Sequence, residues 1–390
     1  MFFVDHPYIS DYFRKTVRDH AIPVVATPAA TKMGLYPGTP ILSEEDACQR
    51  ALGNAHPQVY TTSENALGWL ALHEEFRGLT EKAGMFKNKL AFRELGRPHF
   101  PDFFFTEVRT EDLRTFPFHT VPLPCVIKPA VGFFSMGVHT VTQESQWPEI
   151  VSAILGEIEE VRNLYPSEVL DPGSFIVEQC IAGEEFAVDA YYGPTGEPVV
   201  VGIMKHSFSS DQDVRDRVYT TSKAIIEQNL EEFTAFAGDI GRLAGVKNFP
   251  VHIEIRRQES GKLLPIEVNP LRFGGWCSTA EINPLAYGLN PYVAFYRQER
   301  PDWAELVRGR EGKLFSIVVL DNSTGFEAHE IRSFDYDRML ATFEKPLELR
   351  AIDFTAYPVF GFLFTETSED NQQELLTILN SDLREFVVPW

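Results

Sequence analysis

One stretch, Val251-His-Ile-Glu-Ile-Arg-Arg-Gln-Glu-Ser-Gly-Lys-Leu-Leu-Pro-Ile-Glu-Val-Asn269, limits the fold more than any other part of the chain. Apolar and polar residues alternate on both sides of Ser260-Gly261, the pattern of two half-buried strands joined by a tight turn. Glycine tolerates positive φ, so Ser260-Gly261 suits a two-residue hairpin loop. That turn sets Glu254 opposite Glu267 and His252 opposite Asn269, while Val251, Ile253 and Ile255 share the other face with Ile266 and Val268. A one-residue slip would turn the apolar set toward water, so the register is strongly specified. It also places two carboxylates face to face, which is unfavourable unless positive charge lies between them. A hard divalent cation resolves the conflict, because magnesium takes carboxylate and amide oxygens together with substrate phosphates. Glu254, Glu267 and Asn269 are then its protein ligands. A solvated hairpin with its acidic residues outward is the bland alternative.

Two further segments carry chemistry. Val126-Ile-Lys-Pro-Ala-Val-Gly-Phe-Phe-Ser-Met-Gly-Val138 reads as a strand ending in Lys128, followed by a loop with Gly132, Ser135 and Gly137. Backbone amides in such a loop can face phosphate oxygens while the lysine neutralises them; a plain glycine-containing turn is the alternative. Phe175-Ile-Val-Glu-Gln-Cys-Ile-Ala-Gly-Glu-Glu-Phe186 reads as a strand edge and linker, able to offer backbone donors and acceptors to a base and acidic groups to ribose hydroxyls.

In this order and at these separations the three segments resemble the ATP-grasp family, over roughly residues 80–295. The resemblance implies ATP and magnesium (or manganese) as cofactors. It implies that Lys128 lies on the nucleotide phosphates and that Lys89, in Asn88-Lys-Leu-Ala-Phe-Arg-Glu-Leu-Gly96, is a second nucleotide-contacting lysine. Glu178 to Ile181 match the adenine linker, with backbone groups of Gln179 and Ile181 as partners, and Glu185 matches the ribose acid. Glu254, Glu267 and Asn269 match the metal ligands. Two departures stand out. Phe133 and Phe134 occupy the phosphate loop where the family carries small residues, and Leu271 intervenes between Asn269-Pro270 and Arg272.

With Lys+Arg 35 against Asp+Glu 56, the net charge of −21 argues against nucleic acid or an anionic membrane as partner, and an anionic substrate must meet local positive charge. Arg272, followed by Gly274-Gly275, is expected to meet a carboxylate or a tetrahedral intermediate. The polar stretch around His206, Arg215 and Arg217 is a candidate clamp for an anionic substrate. Cys48, Cys125, Cys180 and Cys277 form no CxxC pair, which signals neither zinc nor a disulfide framework and points to a reducing cytoplasm.

At 390 residues the chain exceeds one hydrophobic core. The expected organisation mixes α/β and α+β: an N-terminal α/β unit over 1–79, a first ATP-grasp subdomain over 80–184, a second with the metal hairpin over 185–300, and a small α+β unit over 301–390. Residues 222–244 repeat apolar positions at helical spacing and stop at Gly245. The resemblance implies an ADP-forming ligase that activates a small carboxylate, such as an amino acid, as an acyl phosphate for attack by an amine. Small molecules are the expected partners, and a homodimer is allowed. Two alternatives stand beside this reading: carboxyphosphate chemistry on bicarbonate, and a nucleotide-binding regulatory module without turnover.

Overall fold

The computed structural model describes residues 1–131, 138–161, 171–209 and 216–390. The chain opens with four short parallel strands, β1 (Phe2–Phe3), β2 (Val24–Val25), β3 (Ile41–Leu42) and β4 (Tyr60–Thr61), ordered β3-β2-β1-β4. This is the parallel sheet that the alternation of short apolar runs and amphipathic stretches predicts. Three of its helices start where side chains cap them: Ser10 accepts from Phe13 N–H, Thr27 from Ala30 N–H and Ser43 from Asp46 N–H. Strand β4 ends beside Leu271, with Thr61 N–H donating to Leu271 C=O at 2.7 Å.

A second, antiparallel sheet follows, built from β5 (Phe105–Arg109), β6 (Cys125–Val131), β7 (His139–Val141) and β8 (Asp171–Gln179) in the order β5-β8-β6-β7. The helix Trp147–Val161 accompanies it, and Val151 and Ile154 join Ile127, Phe175 and Val177 in one core.

The remaining strands are β9 (Glu184–Tyr192), β10 (Pro198–Ser207), β11 (Val218–Ser222), β12 (Phe249–Arg257), β13 (Leu263–Pro270), β14 (Lys313–Asp321), β15 (Ile331–Phe334), β16 (Lys345–Ala351), β17 (Val359–Ser368) and β18 (Val387–Pro389). Among the described residues, eight of them form one sheet in the order β13-β12-β9-β10-β11-β14-β17-β16, and β15 pairs with β18. The helix Lys223–Ala244 lies against this sheet with Ile226, Phe233, Ala237 and Ile240 buried, and it ends where Gly245 turns left-handed at φ 61°. Sequence periodicity places this helix within one residue.

The hairpin β12–β13 departs from expectation twice. Its turn is one residue longer than Ser260-Gly261: Gln258 N–H donates to Lys262 C=O at 3.0 Å, Gly261 N–H donates to Gln258 C=O at 2.8 Å, and Gly261 sits at φ 82°. Arg257 therefore faces Leu263, and Ile255 faces Pro265. A bulge then shifts the ladder back between Ile255 and Glu254, with Ile266 as the extra residue, so that Glu254 faces Glu267, Ile253 faces Val268 and His252 faces Asn269. Proline is tolerated at a bulge because it removes a ladder donor. The expected pairing of carboxylates is present, reached through two compensating irregularities rather than an unbroken ladder. Ile266 does not take its expected place on the ladder's apolar face. Among the described residues no helix is long and apolar enough to cross a membrane.

Candidate active site

The polar side chains of β12 and β13 form the centre of the site, because alternation sends His252, Glu254, Glu267 and Asn269 to the face opposite Ile253 and Val268. Asn269 Nδ2 donates to Glu267 Oε1 at 3.0 Å, and Lys89 Nζ, on the first turn of the helix Lys89–Gly96, stands 3.7 Å from Glu267 Oε2. The two carboxyl groups are driven apart in acidity. Burial raises Glu267, but Lys89 and Lys128 outweigh it and hold the group below its ordinary range. Burial pushes Glu254 well up, and the neighbouring Glu267 and Glu185 charges push it further.

This donor set fits a hard divalent cation. Two facing carboxylates and an amide offer oxygen ligands, and Glu254 lacks the compensating cations that Glu267 has. Among the described residues no three His, Cys, Asp or Glu side chains converge into a closed metal cage. Magnesium is commonly held by one or two carboxylates while substrate phosphates and water complete its shell, and Glu254, Glu267 and Asn269 would suit that partial set.

Lys128, on β6, is buried and pairs with Glu178 Oε1 at 2.7 Å. Glu178 is held from its other side by Arg93, with Nε to Oε2 at 2.6 Å and Nη2 to Oε1 at 3.2 Å. Burial would raise Glu178, yet the two cations hold it at about 2. Arg93 also donates to the bulge carbonyls, Nη1 to Pro265 at 2.6 Å and Nη2 to Ile266 at 3.2 Å. One guanidinium therefore joins the helix, the second sheet and the hairpin β12–β13, a use of its planar five-donor fork.

Beyond Glu178 the linker is anchored on both sides. Gln179 N–H donates to Phe104 C=O at 3.1 Å and its side-chain Oε1 accepts from Phe104 N–H at 2.9 Å. Ile181 C=O accepts from Arg256 Nη1. Glu185, on β9, is buried between Arg256, whose Nε lies at 2.8 Å, and His206, whose Nδ1 lies at 2.9 Å. Burial raises its carboxyl, and these two partners bring it below the ordinary range. His206 stacks on Tyr219 with ring centres 4.1 Å apart. It sits beside the expected ribose acid rather than in an open loop.

Arg272 follows Leu271, which adopts φ 62° and so turns the chain sharply after Pro270. Its Nη2 donates to Glu64 Oε1 at 2.8 Å, and Lys87 pairs with the other Glu64 oxygen. Burial would raise Glu64, but Arg272 and Lys87 hold it at about 2. Gly275 lies open next to Arg272, whereas Gly274 is tightly enclosed.

One expectation is corrected. Arg217 clamps no substrate: it is fully buried, its Nε 2.6 Å from Asp321 Oδ1, and it donates to Ser323 Oγ at 2.8 Å and Ser381 C=O at 3.1 Å. It ties β11 to the last part of the chain. Ser135, the phosphate loop 132–137 and Arg215 lie outside the described residues.

Sequence reading missed Arg93, Glu64 and Asp189. Arg93 follows Lys89 by one helical turn, so the spacing that turns Lys89 toward the hairpin turns Arg93 the same way. His252 was legible as the alternation partner of Glu254. Nothing in the sequence joins Glu64 to Arg272, 208 positions away.

Residues 121–280 match a family model described as an ATP-grasp domain. Over its full length the chain is similar in structure to an L-amino acid ligase from Bacillus licheniformis, with a TM-score of 0.70, 18% identity and 98% of that chain covered. It is also similar to a biotin carboxylase from Campylobacter jejuni, with a TM-score of 0.62, 11% identity, and 94% of this chain and 87% of that one covered. A third likeness, to N5-carboxyaminoimidazole ribonucleotide synthetase from Thermotoga maritima, has a TM-score of 0.62 and 12% identity, covering 99% of this chain and 98% of that one. No curated protein matches the chain in sequence.

Proposed function

We propose that this chain, an ATP-grasp protein by its fold and its central domain, is an ATP- and magnesium-dependent ligase that activates a small carboxylic acid as an acyl phosphate and passes it to an amine. The observation that carries the reading is the pair Glu254 and Glu267, held face to face beside Asn269 and flanked by Lys89 and Lys128.

A carboxylate is a poor electrophile. Attack of its oxygen on the terminal phosphorus of ATP releases ADP and leaves a phosphate as leaving group on the carbonyl carbon. The amine nitrogen then adds to that carbon, phosphate departs with the bonding electrons, and the amine proton passes to water. Phosphoryl transfer asks the protein for position and for stabilisation of spreading charge. Magnesium, when bound by Glu254, Glu267 and Asn269, supplies Lewis-acid screening of the phosphate oxygens.

The chain's own groups supply the rest. In a molecule of net charge −21, the site gathers Lys89, Lys128 and Arg272, each held against a carboxylate by the pairs Lys89–Glu267, Lys128–Glu178 and Arg272–Glu64. In this reading Lys128 and Lys89 meet the nucleotide phosphates, Glu185 and the Gln179–Ile181 linker the nucleoside, and Arg272 with Gly274 and Gly275 the acid. The likeness to an L-amino acid ligase supports an amine acceptor and an amino acid as the activated acid.

The test is phosphate release from ATP and magnesium across panels of amino acids and other carboxylates, with and without amines, with the amide identified by mass spectrometry. Release that requires an acid and rises with an amine is expected. ATP binding without stimulation by any acid would overturn the ligase reading, and stimulation by bicarbonate alone would replace the acyl phosphate with carboxyphosphate.

A further inference from the structure

Asp189 lies on β9 directly opposite His252 of β12 and is 2% exposed. Burying an ionised carboxylate is costly unless its lone pairs are served. Three donors serve this one. His252 Nδ1 lies 2.7 Å from Oδ1, Gly274 N–H donates to the same oxygen at 2.9 Å, and Thr279 Oγ1 donates to Oδ2 at 2.6 Å. The donors come from two different parts of the site. His252 belongs to the metal hairpin, and with Nδ1 turned to Asp189 its Nε2 stands 3.7 Å from Glu254 Oε1. Gly274 and Thr279 belong to the segment that leaves β13 through left-handed Leu271 and carries Arg272. That segment closes tightly over the carboxylate: a Cβ at Gly274 would stand 1.9 Å from Thr279 Oγ1, so only glycine brings the amide this close.

We infer that Asp189 is a positioning residue with two outputs: through His252 it orients the Glu254 carboxylate, and through the Gly274 amide it fixes the loop that aims Arg272. The inference rests on the roles proposed above for Glu254 and Arg272. Groups that stand behind a metal ligand tune its affinity; His252 stands directly behind Glu254 and Asp189 one step further out, and a displaced positioning group costs rate out of proportion to its distance. A single buried group serving both parts couples the cation site to the acid site, so neither can shift without straining the other.

The experiment separates the two outputs. Magnesium is titrated into protein with a non-hydrolysable ATP analogue and followed by calorimetry, the KM for the acid is measured at saturating ATP, and folding is followed by circular dichroism. Asp189→Ala is expected to raise the half-saturating magnesium by about 10-fold, the low end of the range for groups behind a metal ligand, and to raise the KM for the acid. His252→Ala is expected to raise only the magnesium requirement. Asp189→Asn keeps an acceptor oxygen for His252 and Gly274 and can turn its amide to Thr279, so it is expected to restore most of both values. Folded Asp189→Ala with wild-type half-saturation for magnesium and acid, and only a lower kcat, would overturn the inference and leave Asp189 a structural group. If Asp189→Ala does not fold, His252→Ala decides, and wild-type magnesium dependence there overturns the link to Glu254. Wild-type protein that binds no nucleotide with magnesium overturns the ligase reading and this inference with it, a result distinct from any difference between variants.

Discussion

Arg93 offers the sharpest test of how the carboxylate pair is kept in register. Its guanidinium serves both oxygens of buried Glu178, at 2.6 and 3.2 Å, and the two carbonyls of the bulge, Pro265 at 2.6 Å and Ile266 at 3.2 Å. Arg93→Met leaves Glu178 with Lys128 alone and both bulge carbonyls without this donor. Removing one partner of a buried ion pair costs about 3–5 kcal/mol. At roughly 2–4 °C per kcal/mol for a cooperative unit of 150–250 residues, the Tm falls by about 6–20 °C. Arg93→Lys keeps the charge but offers its donors from a single point and cannot span a carboxylate and two carbonyls, so about 1–3 kcal/mol is lost as the bulge acceptors go unserved. The lysine variant therefore separates charge from geometry. Scanning calorimetry gives the stability, and magnesium titration of nucleotide binding gives the state of the pair. In Arg93→Lys the half-saturating magnesium is expected to rise further than the loss of folded protein explains. Wild-type Tm together with wild-type magnesium dependence in that variant would refute the reasoning.

Glu254→Gln and Glu267→Gln are both expected to abolish magnesium-dependent turnover, but with opposite effects on the metal-free fold. Burial and neighbouring charges hold the Glu254 carboxyl well above its ordinary range, so the metal-free protein loses stability as pH rises through that elevated value, and Glu254→Gln should gain in Tm over wild type as pH rises. Lys89 and Lys128 hold Glu267 low despite its burial, so its ionised form stabilises the fold above the ordinary carboxylate range and Glu267→Gln should lower the Tm at neutral pH. Arg217→Met breaks the buried pair with Asp321 and should cost about 3–5 kcal/mol with unchanged substrate KM values; a raised KM at wild-type Tm would restore the substrate clamp. Burial lifts the Glu281 carboxyl to about 7 despite Arg350, so stability should fall as pH rises from about 4.5 to about 7, and Glu281→Gln should show a flatter Tm profile across that window by calorimetry.

Local pattern made much of this architecture legible. Alternation in 251–269 gave the facing carboxylates, and helical spacing with a glycine stop gave Lys223–Ala244. The bulge at Ile266 was not legible, because it depends on Arg93 reaching across from another element to meet two carbonyls. Arg217 misled because a cluster of polar residues reads as a clamp for an anion until Asp321, 104 positions later, turns out to face it. The same reason hid Glu64 and Asp189: each carboxylate is meaningful only through partners brought near by the fold. Residues that act by alternation or helical turn could be read, and residues that act by long-range pairing could not.

The continuous sheet has a consequence for how such chains can diverge. Strand β11 pairs with β10 on one edge and with β14 on the other, residue for residue from Val218–Val318 to Ser222–Leu314. A recombination joint placed near residue 300 would cut no strand, yet it would strip β11 of its neighbour and leave a raw edge open to other chains. Whatever segment is grafted there must bring a strand of matching length and the opposite direction, together with an acid to meet Arg217. The last ninety residues and the strands that carry the facing carboxylates are thus one unit of assembly, joined through a single sheet.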